Sequence, residues 1–107
     1  MPEITLGKYG FLGPFDGARF LYMKKGIFAV LCRDIREDGK FYLIDIDDAD
    51  DVRSAAMNHK RQVDWVKACH GTGKLAIAVY YTGEMPAQER EKISNYIRGL
   101  YDMPCGK

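Results

Sequence analysis

A chain of 107 residues has the length of one domain, and its 47% hydrophobic content is enough to fill a single core, which excludes a disordered polypeptide. The formal charge of +1 provides no global field to attract a polyanion, so any contact with nucleic acid must come from local clusters of Lys and Arg. Cys32, Cys69 and Cys105 are odd in number and lack CxxC spacing, so they predict neither a disulfide framework nor a zinc ribbon, and a reducing cytoplasm is the expected compartment. With no basic-then-apolar leader and no apolar run near the ~18 residues that span a bilayer, a soluble chain without a membrane partner is expected.

Residues 1–22 set Gly7, Gly10, Gly13, Pro14 and Gly17 among Tyr9, Phe11, Phe15, Phe20 and Tyr22, which predicts a bent, turn-rich lead-in pinned by aromatic side chains, with a short edge strand over 18–23. The apolar run 27–32 reads as a strand. Asp38-Gly39 then gives a hairpin signal, and 41–46 returns as the antiparallel partner. After the acidic stretch, Asp50 or Asp51 is placed to cap a helix, because a carboxylate accepts bonds from the free backbone N–H groups of the first turn.

On that helix Val52, Ala55, Ala56 and His59 share one face, and Val63, Val66 and Trp65 continue an apolar side after a bend, with Gly71 as the stop. Residues 74–82 read as a central strand. Pro86 opens a last helix in which Ile93, Tyr96, Ile97 and Leu100 recur at three- and four-residue spacing. The predicted order is β-β-α-β-α: an α+β domain with a small three-stranded antiparallel sheet flanked by helices, spanning 24–107, and a Gly/aromatic extension over 1–23 packed against it.

Gly26-Ile27-Phe28 on the first strand, Asp45-Ile46-Asp47 on the second, Asp48-Ala49-Asp50-Asp51-Val52-Arg53 leading into the helix, Asn58-His59 beyond, and the ending Ile97-Arg98, Tyr101-Asp102, Pro104-Cys105-Gly106 together resemble the GIY-YIG nuclease superfamily over residues 24–106. In that family a Gly-Ile-Tyr strand pairs with a Tyr-Ile-Gly strand, and a helix arginine stabilises charge on the phosphate. A glutamate on the last helix holds a divalent cation. Phosphodiester cleavage needs all three functions: an activated water, charge neutralisation and an orienting metal.

The resemblance maps the arginine to Arg53, with His59 assisting. It puts Phe28 in the tyrosine position without the hydroxyl, and Ser94 or Asn95 where the glutamate belongs. It therefore implies an endonuclease-like domain with impaired catalysis that is retained for binding DNA through Arg53, Lys60, Arg61 and Lys67. The metal ligand is undetermined, with Glu91 one helical turn before Ser94 as the substitute candidate; Mg2+ or Mn2+ is implied for an active enzyme and no cofactor otherwise.

The alternative reading is a protein-interaction or homodimer module using Phe11, Phe15, Phe20, Tyr22 and Trp65. Asp45, Asp47, Asp48, Asp50 and Asp51 fail the EF-hand pattern, because Asp50 stands where glycine is required and Ala56 where glutamate is. A capped, solvated turn is expected there.

Overall fold

The computed structural model describes residues 3–34, 40–69 and 73–106. Its elements are β1 (Glu3–Leu6), β2 (Tyr9–Phe15), a 3-10 turn (Ala18–Phe20), β3 (Gly26–Asp34), β4 (Phe41–Ala49), α1 (Val52–Met57), α2 (Gln62–Ala68), β5 (Gly73–Tyr81) and α3 (Ala87–Leu100). The sheet has five strands in the order β1-β2-β5-β3-β4, every neighbouring pair antiparallel.

This corrects the expected three-stranded sheet. The N-terminal stretch is a β-hairpin rather than a turn-rich lead-in, since Tyr9 and Phe11 face one side of the sheet and Leu12 the other while β2 pairs with β1 on one edge and β5 on the other. The short strand expected over 18–23 is replaced by the 3-10 turn. β3 lies between β4 and β5 and is buried along nearly its whole length, which is why it reads as a continuous apolar run rather than an alternation. Gly71 and the Asp38-Gly39 hairpin signal lie outside the described residues.

The pleat divides the core in two. Phe28, Val30 and Cys32 of β3 face one side with Val52, Ala56 and Trp65 of the short helices, while Ile27, Ala29 and Leu31 face the other with Ile93 and Ile97 of α3. Val63 and Val66, expected to continue the apolar side of α2, are instead exposed, as are Tyr96 and Leu100 of α3. α2 buries Trp65, and α3 buries Arg90, Ile93, Ser94 and Ile97, so the stripe on each helix is set by the sheet face it covers.

Cys32 and Cys69 form a disulfide, with Cα atoms 5.3 Å apart and a sequence separation of 37, and Cys105 is free and buried. The expectation of unpaired cysteines is therefore corrected. The pairing has no local motif because it depends on α2 laying its C-terminal end on β3, and a cytoplasmic setting no longer follows from the cysteine count. No described helix is long and apolar enough to cross a membrane.

Candidate functional site

The acidic run is part of β4, and the sheet distributes it. In an antiparallel pair, directly opposed residues share a face. Phe28 opposes Asp47 and Val30 opposes Asp45, so these two carboxylates point toward α2; Ile27 opposes Asp48, which points toward α3. A bulge between Val30 and Leu31 inserts Ile44 and sets the aim of Asp45. The solvated turn expected over 45–51 is thus corrected for its first half: Asp45 is wholly buried. Asp51 does cap α1, accepting from the Ser54 backbone at 3.0 Å.

Asp45 is enclosed by donors from three parts of the chain. Arg61 Nε lies at 2.7 Å, Trp65 Nε1 at 2.7 Å and Arg98 Nη2 at 2.8 Å, and the Ile46 backbone N–H adds a fourth bond at 2.8 Å. Burial by itself pushes this carboxyl up, but the bonds from Arg61, Arg98 and Trp65 outweigh it and hold Asp45 below the ordinary carboxylate value. Arg98 reaches round the β4 edge from α3, donating also to the Ile46 carbonyl and to Cys105 O. The tail returns this contact through Cys105 N–H to Ile44 O at 3.1 Å. Gly106 lies on the Asp45–Arg98 pair with φ +78°, where a Cβ would collide with both side chains.

Above Asp45, Phe28, His59 and Trp65 form a ring cluster: His59 lies 4.7 Å from Trp65, and Phe28 meets both edge-on at 5.9 and 6.2 Å. Both nitrogens of His59 are engaged. Nδ1 accepts the Arg61 backbone N–H at 3.1 Å, so the hydrogen sits on Nε2 and is donated to Asp47 at 2.8 Å. An imidazole held at both nitrogens, with its side chain 8% exposed, has no lone pair left for activating a water. Phe28 is fully buried and brings no polar atom.

On the opposite face Arg90 of α3 bonds Asp48 at 3.0 Å and Asp50 at 2.9 Å. Desolvation pulls Arg90 down, but the two carboxylates more than compensate and raise its affinity for the proton. Ser94 is buried one turn beyond Arg90, Asn95 is exposed, and Glu91 points to solvent. These residues do not assemble a cradle for Mg2+ or Mn2+, which prefers several oxygens in octahedral array, and no group of three or more metal-binding side chains occurs among the described residues.

Of the expected binding residues, Arg61 is used internally by Asp45, with Asp47 at 3.5 Å, and so cannot serve as a free phosphate contact. Lys60 and Lys67 are exposed, and Arg53 is half-buried at the second position of α1 with no carboxylate partner among the described residues. The structure therefore brings Phe28, His59 and Arg61 together but sets Arg53 apart from their hydrogen-bonded network. Asp45, Trp65 and Arg98 complete that network, while Arg90 forms a separate one with Asp48 and Asp50 on the opposite face; none of the four was singled out for such a role by sequence reasoning. The only sequence signal was the alternation Asp45-Ile46-Asp47, which has the period of a strand with one polar face. No family model, curated protein or solved structure matches this chain.

Proposed function

We propose that this chain is a GIY-YIG-like nucleic-acid-binding domain in which the positions of the cleavage machinery have been turned to internal support. The observation that carries the reading is Arg53. It is the one catalytic position implied by the resemblance that keeps its residue, and it stands without a carboxylate partner among the described residues, next to the loop carrying Lys24, whose carbonyl accepts the Val52 N–H at 3.0 Å. A guanidinium left unpaired at a helix start, with lysines close by, suits a phosphate.

Impaired cleavage follows from the chemistry of the other positions. Phe28 has no hydroxyl, both nitrogens of His59 are engaged, and Ser94 is buried where a metal-binding carboxylate would be needed. The test is binding of labelled DNA at low and moderate salt, with and without Mg2+ or Mn2+, comparing the native chain with Arg53→Ala. Salt-sensitive binding that weakens in the variant, with no strand cut, is the expected result; metal-dependent nicking lost in Arg53→Ala would make the domain an active nuclease, and absence of any binding would end the nucleic-acid reading.

A second reading, a protein-interaction module, is favoured by a different surface. Met57, Val63 and Val66 are 49%, 65% and 61% exposed, and a groove of about 460 Å3 runs beside Met57 and Val66. Phe11 and Trp65, considered for such a surface from sequence, are core residues. A concentration-dependent dimer that ignores both DNA and salt would favour this module.

A further inference from the structure

The segment from Arg19 to Lys25 leaves the 3-10 turn and enters β3, and it has an unusual division of exposure. Only Leu21 is buried, at 2%, within the core on the α1 and α2 side. Phe20, Tyr22 and Met23 are 49%, 65% and 68% exposed, and Arg19, Lys24 and Lys25 are exposed between and beside them.

The segment is nevertheless tied down. Tyr22 N–H donates to the Tyr81 hydroxyl at 2.9 Å and Lys24 N–H to Tyr22 O at 2.9 Å, while the carbonyls of Lys24 and Lys25 accept from Val52 at 3.0 Å and Thr82 at 3.1 Å. Large apolar rings are thus held in water by a backbone anchored to α1 and to the end of β5. Leu21 alone of this segment enters the core, and Phe20 and Tyr22 leave about half or more of their surface in water.

The rings come with cations. The Arg19 guanidinium lies 4.7 Å from the Phe20 ring centre and Lys24 Nζ 5.3 Å from that of Tyr22; behind them Phe20 stacks on Phe15 at 6.5 Å and Tyr22 tilts against Tyr81 at 5.8 Å. Arg19, Lys24, Lys25 and the adjacent Arg53 have no carboxylate partner among the described residues. The nearby acids are largely engaged: Asp50 with Arg90, and Asp51 with the start of α1. Glu84 and the largely exposed Asp50 both line a cleft of about 640 Å3 together with Met23, Lys24, Lys25 and Tyr81.

We propose that this segment is a stacking platform for unpaired bases, so that the ligand class is single-stranded nucleic acid, with Tyr22 and Phe20 receiving bases and Arg19, Lys24, Lys25 and Arg53 following the phosphates. The proposal rests on the nucleic-acid reading above and narrows it. Two exposed rings flanked by cations on a fixed backbone match what single strands require, a π-face for each base and a positive track for the backbone. A duplex keeps its bases stacked on one another and would use only the cations. A protein partner would use the rings but would need a matching acidic surface to use the four cations, and an anionic membrane would use the cations but find Met23 as the one aliphatic side chain of this segment directed outward.

The experiment measures binding of an oligothymidylate of about ten nucleotides, a duplex of the same length, and phosphatidylserine/phosphatidylcholine vesicles, to the native chain and to Tyr22→Ala, Tyr22→Phe and Lys24→Ala. Trp65 fluorescence verifies that each variant is folded. The expected result is tighter binding of the single strand than of the duplex. Binding should be about 5- to 100-fold weaker in Tyr22→Ala and nearly unchanged in Tyr22→Phe, and the slope of log affinity against log salt should be shallower by about 0.7 in Lys24→Ala.

Equal or tighter duplex binding, or an unchanged Tyr22→Ala, would overturn the stacking platform while leaving a phosphate-binding domain in place. Vesicle binding without oligonucleotide binding, or no salt-dependent binding to any of the three, would overturn both the platform and the nucleic-acid reading.

Discussion

Trp65 donates its indole N–H to Asp45 at 2.7 Å, joining the middle of α2 to a fully buried carboxylate on β4. That single bond explains why a tryptophan occupies the buried face of a seven-residue helix: the ring fills the space beside Phe28 and His59 while its one polar atom meets an anion that needs donors. Asp45 in turn satisfies Arg61 and Arg98, so one carboxylate ties α2, β4, α3 and the C-terminal tail together.

Replacing Asp45 by Asn leaves two guanidinium groups facing a neutral amide. Because the side chains of Arg61 and Arg98 are 21% and 24% exposed, water softens the loss, and about 2–4 kcal/mol of destabilisation is expected rather than the full value for a sealed pair. Urea unfolding followed by Trp65 fluorescence checks this. Trp65→Phe keeps most of the ring but drops the donated bond, for an expected loss of about 2 kcal/mol, measured by circular dichroism since the reporter is gone.

The same network sets an acid limit. Asp45 titrates below its ordinary value of 3.8 in the folded chain, so its ionised form is favoured by folding. Its contribution is fully present above that ordinary value and is lost as pH falls through the lower folded value. Stability measured from pH 7 downward should therefore stay level with respect to Asp45 until about pH 4 and then drop, and the drop should be shallower in Asp45→Asn. An identical acid profile in both proteins would refute this assignment.

The disulfide joins positions 37 apart in sequence and closes a loop that contains β4, α1 and α2. Constraining an unfolded chain over that span is worth about 3–4 kcal/mol in the loop-entropy model. Treatment with a dithiol reductant, or Cys32→Ala with Cys69→Ala, should lower the urea midpoint accordingly. The reductant should leave the double variant unaffected.

Two glycines should respond in opposite directions. Gly26 starts β3 between β4 and β5, and an added Cβ would stand 2.6 Å from Tyr80 O and 3.2 Å from Tyr81 Cα, backbone atoms of a paired strand that cannot withdraw. Gly26→Ala should cost about 2–3 kcal/mol. Gly99 lies exposed in α3 with nothing within 4 Å, so Gly99→Ala should raise stability by about 0.5–1 kcal/mol through helix propensity alone. Thermal melts of the two variants provide the comparison.

Local rules determined much of this protein from its sequence. The β3 and β4 runs, the Asp51 cap on α1, Pro86 at the head of α3 and the β5 strand all follow from capping, periodicity and propensity, which act within a few residues. The pairing of β2 with β5, the Cys32–Cys69 bond and the sharing of Asp45 by Arg61, Trp65 and Arg98 were decided only in three dimensions, because their partners lie between 16 and 67 positions apart and no local pattern encodes which distant groups will meet. The acidic run shows the division most clearly: sequence gives five carboxylates in seven positions, but only the pleat and register of β4 send Asp45 and Asp47 to one face, Asp48 to the other and Asp51 to a helix end, where burial and different cations make each a different group.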